Sequence, residues 1–129
     1  WERLSGFSGQ LSDILANGLS NVHQVVTIAP TDAGFSSDGC GTWTSNLSAI
    51  TSSPTATFSD GMFIVGTDVE AGRWRAPGGD GCYWERLSGF SGQLSDILAN
   101  DFGTVTPVVT MSASDAGFTS DGCGIWQMY

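Results

Sequence analysis

The sequence contains no lysine, and its four basic residues are all arginine: Arg3, Arg73, Arg75 and Arg86. That absence excludes lysine Schiff-base chemistry, P-loop phosphate binding and lysine–asparagine cross-linking. Thirteen acids against four bases leave a net charge of −9. Such a surface repels phosphate backbones and anionic membranes, so a nucleic-acid partner is disfavoured. The sequence has one histidine, His23, and the position corresponding to it in the repeat described below is Thr106. A nucleophile–base–acid triad needs a histidine in most of its versions, so His23 reads as a surface side chain. No apolar run approaches the roughly 20 residues that span a bilayer, and no membrane insertion is expected. A basic–apolar leader and an initiator methionine are lacking too, which suggests a processed or trimmed product.

What is abundant points to strands. There are 18 glycines, many serines and threonines, five tryptophans and seven phenylalanines in 129 residues. Glycine and hydroxyl residues favour tight turns over long helices, and the aromatics are sufficient for a small packed core.

The dominant feature is an internal repeat. WERLSGFSGQLSDILAN occupies residues 1–17 and returns unchanged at residues 84–100. The correspondence continues without a gap at an offset of 83, and residues 1–44 agree with 84–127 at 31 of 44 positions. A period of this size indicates tandem small modules rather than a solenoid. The second copy has a run-up, DGMFIVGTDVEAGRWRAPGGDGCY, that the first lacks. The expected division is a truncated first module at 1–44, a Ser/Thr-rich linker at 45–59 and a complete module at 60–129.

Within the complete module, residues 62–66, 72–77, 82–90, 107–113 and 123–128 read as strands. Only SDILAN (95–100) looks helical, with Ser95 as its cap and Asn100 as its close. The expected fold class is all-β: tandem small sandwich- or barrel-like modules with one short helix each. If PGGDG (77–81) closes a hairpin, Trp74 lies opposite Trp84 and Arg73 opposite Glu85, with an Arg75–Tyr83 contact on the outer face. Trp74, Ala76, Cys82 and Trp84 then share the inner face.

The three cysteines follow the repeat. Cys82 and Cys123 lie in one module, and a bridge between them would stabilise it by roughly 4 kcal/mol on chain-entropy grounds. Cys40 corresponds to Cys123 but has no counterpart of Cys82, so it reads as a free thiol or an intermolecular link. This usage favours an extracytoplasmic protein, with no metal or other cofactor expected.

Catalytic chemistry finds little to work with. Asp32 and Asp38, matched by Asp115 and Asp121, are the natural carboxylate pair for glycosidase work. They precede AGF and GCG, where aspartate commonly starts a turn, and the turn reading is preferred. SSDG, GGDG and TSDG resemble calcium-bearing turns but lack EF-hand or nonapeptide spacing.

The stretch IVGTDVEAGRWRAPGGDGCYWERLSGFSGQLSDILAN (64–100) resembles the VG-x-D-(I/V)-x-x-G-x-(Y/W)-R…GCYW-x-RLSGFSG modules of secreted and lipid-anchored proteins of actinobacterial type. The resemblance covers essentially all of 60–126, and 1–43 for the incomplete copy. It implies an exported or cell-surface β-module, and it carries no catalytic residues.

The expected function is therefore non-enzymatic: a secreted or cell-surface structural or adhesive repeat protein. Successive chains would associate head to tail into a filament by completing the truncated module. The expected assembly edge is Trp1 and Glu2, approached by Tyr129, because Tyr129 followed by Trp1 would restore the Tyr83–Trp84 step. The alternative is a carbohydrate-binding module with Trp43, Trp126 and Tyr83 as glycan contacts; the competing assignment of the tryptophans is to the core.

Overall fold

A computed structural model describes residues 1–50, 55–103 and 106–129. The fold is all-β. In chain order the strands are β1 (Glu2–Leu4), β2 (Ile14–Asn17), β3 (Gly34–Ser36), β4 (Thr57–Phe58), β5 (Gly61–Ile64), β6 (Gly72–Arg75), β7 (Tyr83–Leu87), β8 (Ile97–Phe102), β9 (Val108–Met111), β10 (Gly117–Asp121) and β11 (Trp126–Met128). They form three antiparallel sheets, ordered β2-β1-β3, β5-β10-β7-β8 and β4-β11-β6-β9, with no closed barrel.

The second copy is a sandwich of the two four-stranded sheets. Alternation along each strand places one set of side chains between the sheets: Trp74 from β6, Val109 and Met111 from β9, Phe118 and Ser120 from β10, and Trp126 from β11. The disulfide Cys82–Cys123 joins the start of β7 in one sheet to the approach to β11 in the other.

Four expectations change. The 77–81 hairpin does not form. Its glycines carry the chain from one sheet to the other, with Gly78 and Gly81 at φ +73° and +85°, and β6 pairs with β9 and β11 instead of β7. Trp74 lies opposite Val109 and Met128, and Trp84 lies opposite Asp101 and Ser120. Burying the inner face between two sheets removes far more apolar surface from water than a two-stranded ribbon does. The expected inner set survives, since Trp74, Ala76 and Cys82 are all buried and Trp84 packs against them. Arg73 and Arg75 lie over the ring of Tyr129, at 5.0 and 5.2 Å from its centroid, rather than beside Glu85 and Tyr83.

The helix at 95–100 is a single 3₁₀ turn, Leu94–Asp96, running straight into β8. Ser95 caps nothing, because the turn begins after Gln93 without a side-chain cap. Asp96 instead accepts from the Ser91 backbone N–H (2.6 Å) and hydroxyl (2.7 Å), pinning the preceding loop. AGFTSD, read only as turn sequence, supplies the central strand β10. Finally, the end of the expected linker belongs to the sandwich: Phe58 of β4 sits in the core against Phe63, Trp74, Phe118 and Trp126. Residues 51–54 of that linker lie outside the described residues.

The first copy builds half of this sandwich. Its sheet β2-β1-β3 repeats β8-β7-β10 with the same register and the same bulge: Arg3 faces Ala16 and Phe35, as Arg86 faces Ala99 and Phe118. The second sheet does not form. VVTM makes β9 at Val108–Met111, whereas VVTI at 25–28 forms no strand. The reason is β6. It is hydrogen-bonded on both sides, to β9 and to β11, and among the described residues nothing stands in for it in the first copy. The orphaned segment joins the second copy: Met62 N–H donates to the His23 carbonyl (3.0 Å) and Thr27 N–H to the Phe90 carbonyl (2.8 Å).

Candidate functional site

The face that the first copy's sheet would bury in a sandwich is the candidate site. Trp1 and Phe35 stack with ring centroids 6.3 Å apart and planes at 22°; their counterparts Trp84 and Phe118 lie at 6.3 Å and 17°. Phe35 and Trp43 meet edge to face at 5.2 Å, as Phe118 and Trp126 do at 5.1 Å. The indole N–H of Trp43 donates to Ser37 at 2.8 Å, and that of Trp126 to Ser120 at 2.8 Å. Half of an aromatic core is therefore assembled without its other half.

What closes that core in the second copy has no equivalent here among the described residues. Phe58, Trp74 and the Cys82 bridge cover Phe118, Trp126 and Cys123, and Asp60 accepts from the Ser120 hydroxyl (2.9 Å) and the Cys123 N–H (3.1 Å). In the first copy Phe35 and Trp43 are half-buried and the Cys40 thiol is free and exposed. Beside them a cleft of about 310 Å³ is lined by residues 20–24, Gly39, Cys40, Thr42 and Trp43.

An ion pair anchors each copy. Arg3 donates to both carboxylate oxygens of Asp32 at 2.7 Å, and Arg86 to those of Asp115 at 2.7 and 2.8 Å. Asp32 also accepts from Ala29 N–H and Asp115 from Ser112 N–H, so each carboxylate closes a turn as well. The facing guanidinium holds both carboxyls below their usual range, despite burial pushing the other way. Held ionised and doubly paired, they are structural groups. Sequence reasoning saw the turn and missed the arginine, which lies 29 residues away in each copy. Asp38 and Asp121 are exposed, as is His23. Among the described residues no group of three or more metal-ligating side chains converges.

Several expected site residues move. Trp1 is buried and its amino group donates to the Gly18 carbonyl at 3.0 Å, while Glu2 lies mid-sheet, since β1 has a neighbour on each side. The open edge is instead β3, at the place where the second copy has β5. Tyr129 is exposed and lies over Arg73 and Arg75, with its N–H on the Arg73 carbonyl. Of the candidate glycan contacts, Trp126 is fully buried and is removed. Trp43 and Tyr83 are half-buried on different copies; the Tyr83 hydroxyl accepts from Asn100 at 3.1 Å, and burial pushes its pKa up.

No match is found among curated proteins or solved structures. The profile of the Rv1352-like extracellular domain matches residues 1–44 and 55–127. Its two segments are the half-sandwich and the whole sandwich, with Thr57–Phe58 included in the second. With the bridged Cys82–Cys123 pair, this places the protein outside the cytoplasm. The chain belongs to the family of Rv1352-like extracellular domains.

Proposed function

We propose that the protein is a non-enzymatic, extracellular structural or adhesive repeat protein whose first copy, half a sandwich over residues 1–44, accepts strands donated by another polypeptide of the same kind. The observation that supports this reading is the half-core of Trp1, Phe35 and Trp43, which already holds the geometry of the closed core. The donated segment is one patterned like residues 55–83, bringing the equivalents of Phe58, Trp74 and Cys82. Main-chain pairing along β3 would supply affinity, and the aromatic slots would supply selectivity. A cysteine placed like Cys82 could then bridge to Cys40. Repeated from chain to chain, such a heterologous contact propagates into a filament or closes a ring.

The test is to add a synthetic peptide of residues 55–83 to the full chain under mildly oxidising conditions. A one-to-one adduct through Cys40, with quenching or a blue shift of tryptophan emission, is the expected result. Absence of both binding and adduct would remove strand donation. The carbohydrate-binding alternative has less support, because no row of exposed aromatics remains once Trp126 is assigned to the core; binding on a glycan array without peptide binding would reverse the preference.

A further inference from the structure

The two copies touch through a contact whose two sides each occur a second time in the chain. The loop of the second copy, residues 90–94 (FSGQL), sits on the core-side face of the first copy's sheet. Arg3 Nη1 donates to the Ser91 carbonyl at 2.6 Å, the Gln93 amide donates to the Leu15 carbonyl, and Gly92 lies against Trp1 and Ala16. The closeness at Gly92 is strict, since a Cβ there would come within 2.7 Å of the Trp1 ring and 3.0 Å of Ala16.

The loop recurs as residues 7–11, with the same sequence and the same shape. Gly9 has φ +76° and Gly92 +75°. Asp13 pins Ser8 at 2.6 and 2.7 Å, as Asp96 pins Ser91 at 2.6 and 2.7 Å. Yet this loop is seated on nothing: Phe7 is 77% exposed where Phe90 is half-buried, and no atom lies within 4 Å of a Cβ built at Gly9. The receiving face also recurs, as Trp84, Arg86, Leu98 and Ala99, in the same register. Arg86 spends Nε and Nη2 on Asp115, and among the described residues its Nη1 has no hydrogen-bond partner. Its side chain is 27% exposed, against 8% for Arg3, whose Nη1 is covered by Ser91. Ala99 is half-buried where Ala16 is buried. The faces differ at Gly18, where the second copy has Asp101. Gly18 takes part in none of the hydrogen bonds of the contact, but a Cβ there would come within 2.7 Å of the Trp1 ring, so the Trp84 ring cannot repeat the Trp1 placement atom for atom.

We infer that a second copy of this chain binds here, the free 7–11 loop of one molecule seating on the Trp84–Arg86 and Leu98–Ala99 face of the next as the 90–94 loop seats within the chain. In the intermolecular contact, Arg86 Nη1 donates to the Ser8 carbonyl, Gln10 donates to the Leu98 carbonyl, and Gly9 lies against Trp84 and Ala99. Loop and face lie on different copies, so the contact is heterologous and adds molecules in one direction. It rests on the self-association reading above, but uses neither Cys40 nor a donated strand.

The test is sedimentation velocity over a concentration series after alkylation of the exposed Cys40 thiol, which silences it and leaves the Cys82–Cys123 bridge intact. Wild type should sediment faster as concentration rises. Gly9→Asn should weaken association roughly tenfold or more with an unchanged melting curve, because asparagine tolerates a left-handed backbone and position 9 is open in the monomer. Ala99→Glu should weaken it from the other side. Mixed together, the two variants retain one intact loop and one intact face, and should form a capped dimer that grows no further. A single unchanging species for wild type, association indifferent to Gly9→Asn, or a mixture that fails to dimerise would each overturn the inference. The peptide experiment reports separately on strand donation, so either idea can fail without the other.

Discussion

The two copies share their first seventeen residues without a difference, and they end in opposite states. In the second, Trp126, Phe118 and Cys123 are sealed between two sheets; in the first, Trp43 and Phe35 are half-exposed and Cys40 is a free thiol. Side-chain identity does not account for this, because these residues are the same in both copies. The difference is β6, which sits between β9 and β11 and holds that sheet together. A strand bonded on both sides organises two neighbours at once, so its absence removes a whole layer while the other layer keeps its register, its bulge and its ring geometry.

That comparison can be broken most forcefully at the cysteines. Cys123→Ser should lower stability by about 4 kcal/mol on chain-entropy grounds, while Cys40→Ser should leave it unchanged. Thermal melts of both variants with and without reductant check this, and reductant should destabilise wild type as much as Cys123→Ser does. Tryptophan truncation comes close behind. Trp126→Ala should cost roughly 3–5 kcal/mol and Trp43→Ala a small fraction of that, read from denaturant midpoints. Equal losses would mean that the first copy's core is closed in solution.

The ion pairs sharpen the comparison through pH. The carboxyls of Asp32 and Asp115 are held below their unfolded value of about 3.9. A depressed folded pKa contributes stability that is present above the unfolded value and lost as pH falls through the folded one. Stability should therefore hold down to about pH 4 and decline below it. Asp115→Asn should lower the plateau and flatten the decline, as followed by circular dichroism across an acid titration. Asp32→Asn should act in the same sense, and it should also loosen the contact between copies, because Arg3 bridges Asp32 to Ser91. The smallest expected effect is Gly92→Ala, about 1 kcal/mol read from the denaturant midpoint, from alanine at a positive φ against Trp1, with faster amide exchange in β1.

Much of this was legible in the residues. The repeat, its offset and the run-up present in one copy only are explicit, and alternation through GRWRA marks Trp74 and Ala76 as inward. Cys82 and Cys123 announced their bridge by sharing a module from which Cys40 is excluded. β10 and β8 were misread for a local reason: AGFTSD and SDILAN are rich in turn and capping residues, and only pairing with β7 on either side makes them strands. Phe58 was hidden because a two-residue strand at the end of a Ser/Thr-rich stretch has no periodicity to display. The pairs Arg3–Asp32 and Arg86–Asp115 span 29 residues, and no local pattern brings such groups together.

The amino-acid sequence by itself determined the all-β class, the repeat, the inward set Trp74, Ala76, Cys82 and Trp84, and the disulfide, because each rests on composition, alternation or counting along the chain. Only the tertiary structure decided that 77–81 crosses between sheets, that β1 is central and β3 the open edge, and that one copy's loop seats on the other's face. These are questions of which strand lies beside which. A strand's alternation states that it has a buried side; its neighbours are chosen by how the whole set of strands removes the most apolar surface from water.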